Sequence, residues 1–310
     1  MKRLNDTLAE FKHGAMTKQD YIRSMLGCHH AHLFDYAEFI SNTNIRKIEI
    51  VDGEVIMTSR DRGIRICCPP GDLRSAPMEI LNFSDYEKEE SAMIETLISP
   101  NDTIFDIGAN IGWNAINIAA AQRASSVHCF EPIPHTYRYL KRNIDLNGMR
   151  NIIAHNFGFS DHAGAFPFYY YPGGSVNASS VNLTEREDVQ AVACSVKTLD
   201  EYVHEHQLRV DVIKCDVEGA ELPVFKGGIH TLGRDKPIVF SEILRKWSAK
   251  FNYDPNEIFE LFRQLGYRAF TVVEGRLRAF QRMDEQTLQT NFFFLHADKH
   301  AEVIARLEAV

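Results

Sequence analysis

"FDIGANIGW" (Phe105–Trp113) decides how the rest of the chain is read. "TIFDIG" (103–108) is apolar and β-prone, and "GWNAINIAAAQR" (112–123) takes up helical spacing. The turn between them holds Gly108, Asn110 and Gly112, residues that let a ligand approach the backbone. A dinucleotide turn would read G-x-G-x-x-G, its middle glycine admitting the pyrophosphate. Here the order is Asp106-Ile-Gly108-Ala-Asn110-Ile-Gly112, so the middle glycine is missing and a carboxylate closes the strand. That carboxylate repels a pyrophosphate. It suits a ligand that is cationic or offers N–H and O–H donors. S-adenosylmethionine, with an ammonium, a sulfonium and a ribose but no phosphate, meets the description.

Downstream, strand-like and helix-like segments alternate. "SVHCFEP" (126–132) precedes a helix over 135–148, and "NIIAHNFGFS" (151–160) reads as the next strand. "VDVIKCDV" (210–217) precedes a helix near 220–227, and "PIVFSEIL" (237–244) precedes one over 254–266. Two later strands are expected at 267–273 and 291–296. Such alternation predicts an α/β fold, a mostly parallel sheet with helices on both faces. The 163–197 stretch interrupts it: "AFPFYYYPGG" and "QAVACSV" read as extra strands around the polar loop "SVNASSVNLTERED", a lid or a disordered segment. Upstream, residues 1 to about 40 have helical spacing. "IRKIEIVDGEVIMTSRDRGIRICC" alternates around Asp52-Gly53, a hairpin signal, with a third strand at 63–68. The expected division is a helical and hairpin region over 1–85 and a cofactor-binding catalytic domain over 86–310.

Ligands of open α/β sheets bind outside the carboxyl ends of the strands, so those ends supply the candidates. Glu131 in "CFEP" is placed to accept both ribose hydroxyls. In "NFGFSD", Phe159 can pack on an adenine face and Asp161 can accept from its exocyclic amine, although an aromatic there serves the core equally well. Tyr86, at the start of the helix before the Asp106 strand, can close over the methionine end.

These segments resemble the FkbM family of S-adenosylmethionine-dependent methyltransferases. The match is carried by "FDIGANIGW" (105–113), "FEP" (130–132), "FSD" (159–161), "VIKCDVEGAE" (212–221) and "SEI" (241–243), with a similar lead-in over 66–90. It covers about residues 60 to 296. The resemblance implies a class I, Rossmann-like sheet of seven mostly parallel strands and O-methylation of sugars, glycolipids or related metabolites. It also adds Pro132 and Ser160 to the cofactor contacts.

An aliphatic hydroxyl is a poor nucleophile until its proton is taken. Asp216 ends the fourth strand, Glu218 begins the following helix and Glu242 ends the fifth strand. Asp216 is expected to be the base, or to hold a divalent cation with Glu242; no dedicated metal motif is evident. Glu218 serves the helix dipole as readily, and Asp216 can instead bind the cofactor. Lys214 lies on the same strand face as Asp216 and can keep it ionised. Arg60, Arg62 and Arg65, with Arg74, form a local cationic cluster that either grips an acidic acceptor or is solvated. "CHHAH" (28–32) lacks the second ligand pair of a zinc site.

With 310 residues and a net charge of −8, the chain is large enough for a catalytic domain with an appendage, and its charge argues against general nucleic-acid binding. No apolar run approaches the roughly 18–20 residues of a membrane span. The polar start lacks a secretory h-region, and the six cysteines lack disulfide-framework spacing, which together point to the cytoplasm. The apolar stripe of the first helix serves a homodimer contact or an internal packing face. Two other readings stay open: a nucleotide-dependent oxidoreductase, which NAD(P)H binding would revive, and a non-catalytic cofactor-binding partner protein.

Overall fold

The computed structural model describes residues 2–72, 74–123, 125–171, 174–183 and 189–309, with the backbone alone for 174–177. The N-terminal helices run Leu4–Lys12, Lys18–Met25 and Ala31–Phe39. Three antiparallel strands follow: β1 (Ile45–Val51), β2 (Glu54–Ser59) and β3 (Arg65–Cys68). The β1–β2 turn is the Asp52-Gly53 pair, both at positive φ, as a two-residue hairpin loop requires. This sheet docks on the helix Pro134–Asn147. Asn143 accepts from the Cys67 N–H at 2.7 Å and donates to the Ile111 carbonyl at 2.8 Å, tying hairpin, helix and glycine turn together.

The remaining strands are β4 (Thr103–Ile107), β5 (Ser126–Phe130), β6 (Ile152–His155), β7 (Gly158–Phe159), β8 (Gly164–Tyr171), β9 (Gly174–Ser179), β10 (Gln190–Lys197), β11 (Val212–Cys215), β12 (Ile238–Glu242), β13 (Tyr267–Val273), β14 (Arg276–Phe280) and β15 (Asn291–His296). Among the described residues the central sheet has eight strands in the order β14-β13-β15-β12-β11-β4-β5-β6. β6, β5, β4, β11 and β12 are mutually parallel, and β15 runs antiparallel beside β12. The expected α/β class holds, but the expected seven strands become eight. Arg276–Phe280 folds back on β13 through Glu274-Gly275, both at positive φ, and adds an edge strand. Its charged, half-exposed sequence hid it from a search for buried apolar runs.

Both faces of the sheet are covered, so the central strands are apolar at nearly every position. Ile104, Val127, Val212 and Phe240 pack on one side, and Phe105, Phe130, Ile213 and Val239 on the other. Asp106 and Lys214 are the charged exceptions on the first side, 0% and 4% exposed. Chain order reverses between β4 and β11: the chain first builds outward to β6, then returns to the other side of β4. Such a switch point leaves a crevice at the carboxyl ends of the two strands.

Two sequence expectations change. The strand expected over 151–160 breaks after His155. β7, holding Phe159, leaves the central sheet and pairs in parallel with β10. Part of the expected polar loop is also strand: β9 pairs with β8, so the insertion forms a second sheet in the order β7-β10-β8-β9. Residues 184–188 of that loop lie outside the described residues. Among the described residues, no helix is long and apolar enough to cross a membrane.

Candidate active site

The crevice at the switch point contains a cavity. Its floor is the glycine turn. Gly108 and Ala109 both donate to the Phe130 carbonyl, at 3.0 and 3.1 Å, which pins the turn to the end of β5. Gly108 has φ +79°, and a Cβ there would sit 1.8 Å from the Asp216 carbonyl oxygen. Only glycine lets the β4 and β11 ends meet this closely. Gly112 is required for a different reason than ligand approach. It sits at φ +92°, a conformation that favours glycine, a Cβ would meet the Leu140 methyl at 2.6 Å, and it does not line the cavity.

Glu131 lines the cavity and is 6% exposed. Its carboxylate accepts from the Asn110 N–H at 3.0 Å and the Ile133 N–H at 2.9 Å. Burial raises its pKa to about 7, against the opposing pull of those two amides. Each oxygen accepts one backbone bond, leaving lone-pair capacity for hydroxyl donors. Asn110 and Pro132 also line the cavity, and Tyr86 forms part of its wall.

Phe159, Ser160 and Asp161 line a second space, not the first. The two share Gly108, Pro132, Phe168 and Val217, so they form adjoining halves of one crevice. Phe159 is 5% exposed and packed among Phe130, Phe157 and Tyr202, with ring centroids 4.6, 5.5 and 5.8 Å away. The core reading of this aromatic is thus largely what its packing shows. Asp161 contacts the His162 ring at 2.6 Å.

The sequence expectation for Asp106 needs the clearest correction. It is fully buried and does not line the cavity. Its neighbour is Lys214, whose ammonium lies 3.3 Å from Asp106 and 3.5 Å from Asp216 and donates to the Gly108 carbonyl at 3.2 Å. The two side chains meet because Lys214 and Asp106 are register partners across β11 and β4. Burial opposes the lysine's charge, but Asp106, Asp216 and Glu87 together hold its pKa well above the ordinary value. The lysine therefore links the glycine turn to Asp216, a three-way contact that the expected Lys214–Asp216 pairing only half described.

Asp216 and Glu218 line the cavity; Glu242 lines neither half. Glu218 adopts φ +53°, and its Oε2 is buried without a hydrogen-bond partner. Burial raises its pKa well above the ordinary value, with repulsion from Asp216 and Glu242 adding to it. Among the described residues, no three His, Cys, Asp or Glu side chains come together at metal-ligand spacing.

Three contributors were not singled out from sequence. Glu221, 1% exposed, accepts from the Val217 and Gly219 N–H groups, each at 3.1 Å, and so holds the loop carrying Asp216 and Glu218. Glu87, at φ +45°, has a pKa raised to about 7 by burial and by Asp216. Ser179 of β9 donates to the Glu218 carbonyl at 3.0 Å, and Ala178 lines the cavity, so the insertion reaches the site. A run of polar residues in an insertion carries no signal of where it will fold back.

The carboxyl cluster stores strain that a stability measurement can read. Burial, then Asp216 and Glu87, raise the Glu242 pKa from 4.5 to about 9. Between those values the folded chain keeps a proton that the unfolded chain has lost. The contribution of this group is therefore full below about pH 4.5 and falls away as pH rises toward 9. Glu242→Gln should stabilise the ligand-free protein by about 1–3 kcal/mol at pH 8 and by little at pH 5. Urea unfolding at both pH values checks this, and an equal effect at both would mean that Glu242 ionises normally.

A model of the methyltransferase FkbM domain matches residues 106–269, which contain the glycine turn, Glu131 and all three candidate carboxyls. The chain is 31% identical over 156 residues to methyltransferase sdnD of Sordaria araneosa, covering 41% of this chain and 60% of that protein. It is 30% identical over 160 residues to hexuronic acid methyltransferase AglP of Haloferax volcanii, covering 50% and 62%. It is 27% identical over 164 residues to 2-O-methyltransferase NoeI of Sinorhizobium fredii, covering 48% and 66%. Each match spans less than two thirds of the relative's own length. With the FkbM domain model covering more than half of its residues, the chain belongs to the FkbM methyltransferase family.

Proposed function

We propose that the protein is an S-adenosylmethionine-dependent O-methyltransferase acting on a hydroxyl of a carbohydrate, glycolipid or related metabolite. The observation that carries this reading is the single crevice that gathers the Gly108 turn, Glu131, Asp216 and Glu218. The relatives named for hexuronic acid and 2-O methylation support the acceptor class. Residues 86–310 would form the catalytic domain and residues 1–85 a helical and hairpin appendage. The six free cysteines, five of them buried, suit a reducing cytoplasm.

The crevice fits the cofactor by its donor set. Glu131 is a buried acceptor that lines the cavity with one backbone bond on each oxygen, and the Gly108 turn, packed on the Asp216 carbonyl, forms the floor beside it. When bound, the cofactor supplies an electrophilic methyl group on a sulfonium. Glu131 would accept the ribose hydroxyls, and Tyr86 would cover the methionine end. Asp161, with Ser160 and Phe159, would meet the base in the adjoining half. Asp216, 3.5 Å from the Lys214 ammonium, would take the proton from the acceptor hydroxyl as its oxygen bonds to the methyl carbon and the carbon–sulfur bond breaks. Glu218, its carboxyl pushed toward the neutral form by burial, would orient the acceptor, and Glu242, outside both halves of the crevice, would act through its charge interaction with Asp216 and Glu218.

Calorimetric titration with S-adenosylhomocysteine tests the reading. The expected result is a Kd of about 1–100 μM, roughly −8 to −5.5 kcal/mol. Absence of binding at millimolar ligand would remove the proposal.

A further inference from the structure

A second concavity lies beside the crevice and shares Tyr86 and Trp113 with it. Its far wall comes from the N-terminal sheet and from the helix Lys88–Leu97. Two properties define what it can hold. One is its charge. Arg62 forms a two-pronged ion pair with Glu95, one prong at 2.6 Å, and also donates to the Asn117 carbonyl at 3.3 Å. Lys88 pairs with Asp85 at 3.4 Å, and Asp85 also accepts from the Asn44 side-chain amide at 2.7 Å. With Asp61, three carboxylates stand against two cations on this wall.

The arginines of "SRDRGIR" and Arg74 are engaged within the fold, and Arg62 is the one of them that lines the groove. Arg60 is consumed by the carbonyls of Thr43, Ile40 and Ile45, Arg65 lies 3.7 Å from Glu49, and Arg74 pairs with Glu79. An incoming carboxylate or phosphate would meet acceptor oxygens of its own sign. A bidentate arginine already engaged does not readily let go. Hydroxyl groups, which donate as well as accept, suit Asp61, Asp85 and the amides of Asn44 and Asn117.

The other property is the shared wall. Trp113 and Tyr86 offer broad apolar ring surface with a polar edge, suited to the C–H face of a pyranose. Tyr86 lines both the groove and the crevice that holds Asp216, so it joins the two.

We propose that this groove is the acceptor subsite and that it takes an uncharged, hydroxyl-rich sugar ring, in preference to a uronate or a phosphorylated sugar. The inference rests on the methyltransferase reading and narrows it, because it departs from the acid-bearing acceptor named for the Haloferax volcanii relative.

Ser91 and Ala92 line the groove and not the cofactor crevice. The test is saturation-transfer NMR on the full chain with bound S-adenosylhomocysteine. The probes are methyl glucopyranoside and methyl mannopyranoside against methyl glucopyranosiduronate. The neutral glycosides should receive saturation and the uronate should not. Ser91→Trp or Ala92→Trp should cut the transfer about tenfold while leaving S-adenosylhomocysteine affinity and Tm near wild type. Preference for the uronate would overturn the proposal. So would undiminished transfer in both bulky variants, or no transfer to a wild-type protein that binds S-adenosylhomocysteine. Failure of the wild type to bind S-adenosylhomocysteine would instead sink the methyltransferase reading beneath it.

Discussion

Asp216→Asn should lower turnover by about 10²–10⁴-fold while S-adenosylhomocysteine affinity stays within about threefold. Asparagine keeps the shape of the side chain and its place in the cavity wall. It removes the charge and the ability to take a proton. The pairing of Lys214 with Asp106 at 3.3 Å survives, so the glycine turn keeps its anchor and the cofactor half of the crevice should be little disturbed. The loop also stays fixed, because Glu221 holds the Val217 and Gly219 N–H groups and Tyr253 donates to the Gly219 carbonyl at 3.0 Å. Steady-state rates beside a calorimetric Kd separate the two effects. Turnover within about twofold of wild type would move the base elsewhere, and Glu218→Gln would be the next variant to assay.

Lys214→Met should cost about 3–5 kcal/mol of stability at neutral pH, the usual consequence of removing one partner of a buried ion pair. Methionine fills similar volume, so the loss is electrostatic. Asp106 is fully buried, and its main partner is the Lys214 ammonium, with the Ala115 N–H a weaker support. Without the lysine, burial pushes the Asp106 carboxyl further toward its neutral form. The folded pKa then lies above the unfolded value, so the variant loses stability as pH rises and recovers some below the ordinary carboxyl range. Urea unfolding at pH 5 and pH 8 should show the larger deficit at pH 8. The double variant Asp106→Leu, Lys214→Met should regain most of the loss, since an apolar pair can replace a buried ionic one. A deficit below about 1 kcal/mol for Lys214→Met would mean that Asp106 is neutral in the native fold.

The two predictions concern one structural unit. Lys214 reaches Asp106, Asp216 and the Gly108 carbonyl together. It couples the turn that would hold the cofactor to the carboxylate that would take the proton. Changing either acid should therefore alter the electrostatics of the other, and an Asp106–Asp216 double-mutant cycle should be non-additive.

Local patterns in the sequence determined much of this. Apolar runs bounded by turn residues located most strands of the central sheet, because strands covered on both faces must be apolar almost throughout. The Gly108 turn and the acids at 131, 216 and 218 announced a site, because polar residues at strand ends have no reason to interrupt a core. What contact alone decides stayed out of reach. That Asp106 faces Lys214 instead of a ligand follows from β4–β11 register, which no single segment encodes. That Gly112 answers to Leu140 follows from how one helix packs on another. β14 and β9 were hidden because edge and insertion strands, exposed on one side, carry mixed polarity. The arginines around 60–65 read along the chain as either an anion grip or a solvated face; folding brought Glu95 and Glu49 against Arg62 and Arg65. Charge along a sequence is a list, and only the tertiary structure decides which charges meet.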